Sequence, residues 1–213
     1  MSFSLAFPEL EPRERYKLLC ATIVPRPIAL VTSVGRDGVV NAAPFSFFNV
    51  FSEEPPLIVL GLQHKEGAPK DTTRNIAETG AFVVNLVDED LAKAMNVCAI
   101  AFPPAISEID AAGLELIAGS DVPVPRIAQA PFALECRRTV ALAFGPQREL
   151  LVGEVLRLHA RDGLIDPERL RVDTDAYHPV GRLFGDGYAR QRDRFELKRE
   201  SFAEWEAARA NTV

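Results

Sequence analysis

Residues 133–144 and 150–159 are two long runs of strand-forming side chains, and only Gly145-Pro146-Gln147-Arg148-Glu149 lies between them. A connection that short has no room for a crossover helix, so the runs must return alongside each other as an antiparallel hairpin. The same logic applies near the start. Ile28 to Val34 is apolar and β-branched, Gly35-Arg36-Asp37-Gly38 is a turn signal, and the chain runs back from Val39 into Asn41-Ala42-Ala43-Pro44-Phe45-Ser46. Leu57 to Leu62, after the Pro55-Pro56 break, and Ala81 to Val87 add further strands. With about six or seven strands, several joined by tight turns, a closed or half-closed antiparallel barrel is favoured over a doubly wound sheet.

Helices fall between these strands. Glu11 to Cys20 has Pro12 in its first turn, with Tyr16, Leu19 and Cys20 on one face. Residues 71–80 read as a short helix capped by Asp71 and stopped by Gly80. Asp88 caps a helix that places Leu91, Met95 and Cys98 on one side. Ser201 and Glu204 form a capping box for a terminal helix carrying Phe202 and Trp205. No linker or repeat interrupts residues 1–213, so a single domain is expected, with a core over about 14–190 and a helical extension over 191–213.

A formal charge of −6 lacks the basic excess of a nucleic-acid-binding domain. The apolar runs are too short to cross a bilayer, and Met1 to Leu10 has no signal-peptide pattern. Three scattered cysteines without a CxxC argue against disulfides and thiolate zinc, which suits a cytoplasmic protein. His64, His159 and His178 are too far apart in sequence to suggest a metal site.

Four stretches carry candidate chemistry. At Lys70-Asp71-Thr72-Thr73-Arg74-Asn75, hydroxyls, flanking cations and the free N–H groups of a first helical turn suit a phosphate, although an ordinary surface helix starts the same way. In Asn41 to Asn49, small residues let a flat ligand approach the backbone, Ser46 and Asn49 are polar, and Phe45, Phe47 and Phe48 offer apolar walls or simply fill the core. Pro25-Arg26-Pro27 holds Arg26 on extended backbone. Tyr177 to Tyr188 mixes glycine, aromatic and polar residues and contains His178, a proton donor or a structural histidine. Neither GxGxxG nor GxxxxGK[ST] is present, nor is an evident nucleophile, so a cofactor would have to supply the reactivity.

Taken in order, Pro25 to Thr32, Gly38 to Ser46, Pro55-Pro56, Lys70-Asp71-Thr72 with Asn75-Ile76, and Phe82 to Leu86 resemble the flavin reductase-like family. Ala112-Gly113-Leu114, Pro131 with Glu135-Cys136, Gly153-Glu154-Val155 and Arg182 to Tyr188 extend the likeness over roughly 14–190. The resemblance implies a mainly β fold: an FMN-binding split β-barrel, antiparallel and Greek-key-like, with peripheral helices. It also implies a homodimer with FMN near the subunit interface. Lys70, Thr72 and Thr73 would meet the phosphate, and Asn41, Ala42, Ala43, Pro44, Phe45 and Ser46 the ring and ribityl chain, with Phe47 and Asn49 beside them. Arg26 and the segment from His178 through Arg182 to Tyr188 would act as lids. The activity implied is NADH- or NADPH-dependent flavin reduction, with electrons passed to a second acceptor. FMN would then be either a fixed group or a substrate released to a partner oxygenase. A non-enzymatic flavin- or haem-binding barrel and a pyridoxamine-phosphate-oxidase-like enzyme are the alternatives.

Overall fold

The computed structural model describes residues 3–64, 66–103 and 106–210. Its principal strands are β1 (Ala29–Val34), β2 (Val40–Phe45), β3 (Phe48–Glu53), β4 (Pro56–Gln63) and β5 (Ala81–Leu86). After short β6 (Leu116–Ile117) and β7 (Arg126–Ile127) come the long hairpin strands β8 (Phe132–Ala143) and β9 (Arg148–Ala160). Four further short strands follow: β10 (Ile165–Asp166), β11 (Arg171–Val172), β12 (Val180–Arg182) and β13 (Tyr188–Arg190). The helices are α1 (Pro12–Thr22), α2 (Asp71–Thr79), α3 (Ala92–Val97), α4 (Glu108–Ala111) and α5 (Phe202–Ala210).

The main sheet is antiparallel throughout, in the order β2-β1-β5-β8-β9-β4-β3. Its two end strands, β2 and β3, are joined by Ser46 and Phe47 alone, so the sheet has to curl until its ends meet. In effect one bent strand pairs with β1 through its first half and with β4 through its second. Gly61 N donates to Phe47 O at the bend, 2.7 Å away. This is the split β-barrel. The sequence reading had no β3: Ser46 to Glu53 lacks the alternation of a half-buried strand, because β3 is an edge exposed at several positions.

Alternation elsewhere sorts the side chains between two cores. Ala29, Val31, Ile58, Leu60, Leu62, Phe82, Val84, Cys136 and Leu151 fill the barrel interior. Phe82 sits at its centre, and a methyl group on Gly153 would come within 2.4 Å of the Phe82 ring. Leu30 points the other way, into a second core with Leu91, Met95, Cys98, Ile109 and Ile127. With both faces covered, β1 is buried almost end to end, and so reads as an unbroken apolar run.

Two buried polar groups hold the outer layer. Asn85 donates to Leu30 O at 2.9 Å and accepts from Ile127 N at 2.8 Å. The Glu135 carboxylate accepts from Ser120 N, Asp121 N and Val122 N at 2.7, 2.6 and 2.9 Å, and also meets His159 Nε2. Burial pushes the Glu135 pKa up, but these donors outweigh it and hold the group at about 2.

Helix ends follow the expected local rules. Gly80 closes α2 at φ 73°, a left-handed position that suits glycine, and Asp88 Oδ1 accepts from Leu91 N ahead of α3. Ser201 and Glu204 form the expected reciprocal box before α5. No helix among the described residues is long and apolar enough to span a membrane.

Candidate functional site

The bend between β2 and β3 places Pro44, Phe45 and Ser46 at the surface, and two adjoining cavities of about 200 Å³ each share these residues with Tyr16 of α1. Together they form one groove. It lies within the lower range of small-molecule sites, and its two ends differ chemically.

One end is cationic. Lys70, Gln63 and Arg148 line it with Phe47, whose ring lies 6.5 Å from that of Tyr16. Lys70, not Asp71, is the residue that caps α2, and the helix begins at Asp71. Asp71 is therefore inside the first turn, where it pairs with Arg74. That pairing removes Arg74 from the cations expected here. Behind the wall, Thr72 and Thr73 are buried, and Asn41 Nδ2 donates to Thr72 Oγ1 at 2.8 Å. The bond ties strand β2 to the helix start and leaves the Thr72 proton for another acceptor. The Asn75 amide donates to Ser33 Oγ and fixes the same helix from below.

The other end combines a tyrosine, an amide and one arginine. Met95 and Asn96 of α3 face Arg182 and Tyr188 across it. The Arg182 guanidinium lies over the Tyr188 ring, 4.5 Å from its centroid, and also donates to Gly185 O. Tyr188 OH donates to Asn96 Oδ1 at 3.3 Å. Beyond this pair a wider cavity of about 610 Å³ opens, with Lys93 and Arg190 on its walls.

The structure thus brings Pro44, Phe45, Ser46, Phe47, Lys70, Arg182 and Tyr188 to one groove. Asn41, Ala43, Thr72 and Thr73 adjoin it without forming its walls, and Ala42 turns inward to the second core. Three of the expected residues lie outside this groove. Arg26 is not a free lid: its guanidinium is buried and donates to Cys20 O, Ile23 O and Leu183 O at 2.6, 2.9 and 3.0 Å, joining the end of α1 to the 182–188 segment. Asn49 faces a different cavity, and its Oδ1 accepts from Val50 N. His178 lines neither end of the groove; its carbonyl accepts from Glu89 N. Tyr16, Gln63 and Arg148 went unnoticed in the sequence, because each reaches the groove from an element distant in the chain.

The cavity facing Asn49 is larger than the groove, about 720 Å³, between β3–β4, residues 25–28, and Tyr177, Pro179, Val180 and Gly181. Its walls are mostly apolar, and the one arginine among them, Arg26, is already bonded to three carbonyls. Size favours this cavity, but the groove has the free cations, the hydroxyl and the amides that orient a polar ligand. We take the groove as the site on that ground. Burial, and secondarily Glu108, lifts the Cys98 thiol to about 11, and burial likewise raises Cys136, so neither is a thiolate at neutral pH.

A family model described as the flavin reductase like domain matches residues 21–181. The 2-nitrobenzoate 2-nitroreductase NbaA of Pseudomonas fluorescens is 42% identical and superposes with a TM-score of 0.87, over 94% of this chain and 98% of that one. Nitrilotriacetate monooxygenase component B from Bacillus cereus is 39% identical with a TM-score of 0.88, over 92% and 99%. A chain from Halalkalibacterium halodurans is 41% identical over 201 residues, 92% of this chain and 95% of that one.

Proposed function

The chain belongs to the flavin reductase-like family and is a flavin oxidoreductase. From that premise we propose that it binds FMN in the groove, takes electrons from NADH or NADPH and delivers them to a second acceptor. The observation that carries the reading is the charge arrangement of the groove: Lys70 and Arg148 stand free at one end, whereas at the other the arginine, Arg182, is held against the Tyr188 ring and Gly185 O, with the Pro44 to Ser46 bend between.

The donor set fits a flavin mononucleotide. Lys70 and the first turn of α2 would hold its phosphate, with the Asn41–Thr72 hydrogen bond keeping that turn in place. Pro44 and Ser46 present backbone with little side-chain bulk, which lets a flat ring lie close. Phe45, Met95 and Tyr16 line the same cavity and would exclude water from a bound ring. Tyr188, held by Arg182 and Asn96, closes the far end. When bound, flavin supplies the ability to accept a hydride and pass electrons on, so the protein's part is binding, orientation and exclusion of water.

The acceptor divides into two classes that the relatives' names suggest: an aromatic nitro compound taken up directly, or a monooxygenase fed with reduced flavin. We also infer a homodimer, in which a second copy would cover part of the exposed bend, and a cytoplasmic location, which the free, buried cysteines suit. The test is spectroscopic. Protein with added FMN is mixed with NADH or NADPH without oxygen. Catalysed bleaching of the flavin band supports a reductase and names the donor; bound flavin that neither nucleotide bleaches would reduce the protein to a flavin carrier.

A further inference from the structure

The cationic end of the groove contains a residue to which neither the sequence reading nor the family match gives a role. Arg148 is the first residue of β9, paired directly across from Gln63 of β4. Side chains of directly opposed residues lie on the same face of a sheet, and both line the cavity that Lys70 completes. Resting on the flavin reading above, we propose that Arg148 is the residue that makes this site select a phosphorylated flavin over the same ring system without its phosphate.

Three observations support this. First, neither Arg148 nor Lys70 has a side-chain hydrogen bond or ion pair among the described residues, whereas Arg74, in the first turn of α2, is neutralised by Asp71. Second, the carboxylate next to Arg148 in sequence is turned away: Glu149 lies on the opposite face of the strand and sits 3.5 Å from His64 Nε2. Third, the backbone beneath Arg148 is fixed. Its carbonyl accepts from Phe144 N at 2.8 Å, and His64 N donates to Gln147 O at 3.1 Å, so the hairpin end is pinned to β4. A half-buried, uncompensated guanidinium on rigid backbone, facing a small polar cavity with a second cation on its rim, matches the fork geometry of a phosphate monoester dianion. Riboflavin offers this end of the groove only a hydroxyl.

The experiment titrates FMN and riboflavin separately into the apoprotein and reads flavin fluorescence. Wild-type protein should bind FMN tighter than riboflavin by about 100-fold or more. Arg148→Gln should cut that preference by about 10- to 100-fold while leaving riboflavin affinity unchanged, the range of a lost charge-assisted contact. Gln63→Glu, at an exposed position that leaves the fold alone, places a carboxylate opposite the guanidinium and should lower the preference in the same direction. It serves as the test if Arg148→Gln does not fold. An unchanged preference in a folded variant, or equal affinity of wild-type protein for the two flavins, overturns the role of Arg148 and leaves the flavin reading standing. Folded wild-type protein that binds neither flavin overturns the flavin reading itself.

Discussion

Replacing Glu135 by glutamine changes one atom in a buried cluster, and the cost follows from its hydrogen bonds. Oε1 accepts from Ser120 N and faces His159 Nε2, while Oε2 accepts from Asp121 N and Val122 N. A glutamine has one oxygen, so its NH₂ group is set against Ser120 N in one orientation and against both Asp121 N and Val122 N in the other, and the contact with His159 loses its charge in either. Losing two charge-assisted bonds at a fully buried position should cost about 2 to 4 kcal/mol, or roughly 5–15 °C in Tm for a chain of this length. The pH dependence gives a second, independent check. Burial raises the Glu135 pKa, but the three N–H groups and His159 outweigh it and hold the folded-state value at about 2, against an ordinary 4.5. A carboxyl depressed in this way stabilises the fold above its unfolded pKa, and the contribution fades as pH falls from about 5 toward 2. By linkage it is on the order of 3 kcal/mol. Denaturant melts of both proteins at pH 7 and pH 3.5 measure it. Wild-type protein should lose more stability than Glu135→Gln between the two conditions. A midpoint at pH 7 within 1 kcal/mol of wild type, or equal losses on acidification, would refute the reasoning.

Lys70→Ala should weaken FMN binding by about 1 to 3 kcal/mol with riboflavin affinity unchanged, as read by fluorescence titration; unaltered FMN affinity would remove Lys70 from the phosphate end. Gly153→Ala places a methyl 2.4 Å from the Phe82 ring at the barrel centre and should cost about 1 to 3 kcal/mol; an unshifted denaturation midpoint would show that the ring can move aside. Tyr188→Leu removes both the guanidinium stack and the bond to Asn96, and should cost about 1 kcal/mol in flavin affinity, seen as earlier loss of flavin on gel filtration; full retention would separate Tyr188 from the site.

Much of the barrel was legible in the chain because its signals are local. The apolar run along Ala81 to Leu86 and the glycine after Thr79 act over a few residues and hold in the fold; the short hairpin break holds too, although β9 starts at Arg148, two residues earlier than read. Pro44 to Ser46 and Lys70, which line the groove, were singled out in the chain because each lies in a short stretch of adjacent residues with its own chemistry. Strand β3 was not, since an edge strand need not alternate.

The sequence by itself determined which segments extend, where they turn and which stretches hold anion-binding chemistry. Tertiary structure alone decided which of those groups are free to act. Arg26 and Arg74 looked available in the chain, but one is bonded to three backbone carbonyls and the other is paired within its own helical turn. Arg148 had no signal at all, yet strand pairing turns its only adjacent carboxylate to the other face and sets it beside Gln63 and across from Lys70. The reason is physical: propensity and capping act over three or four residues, whereas the charge balance of a cavity is set by side chains that only folding brings together.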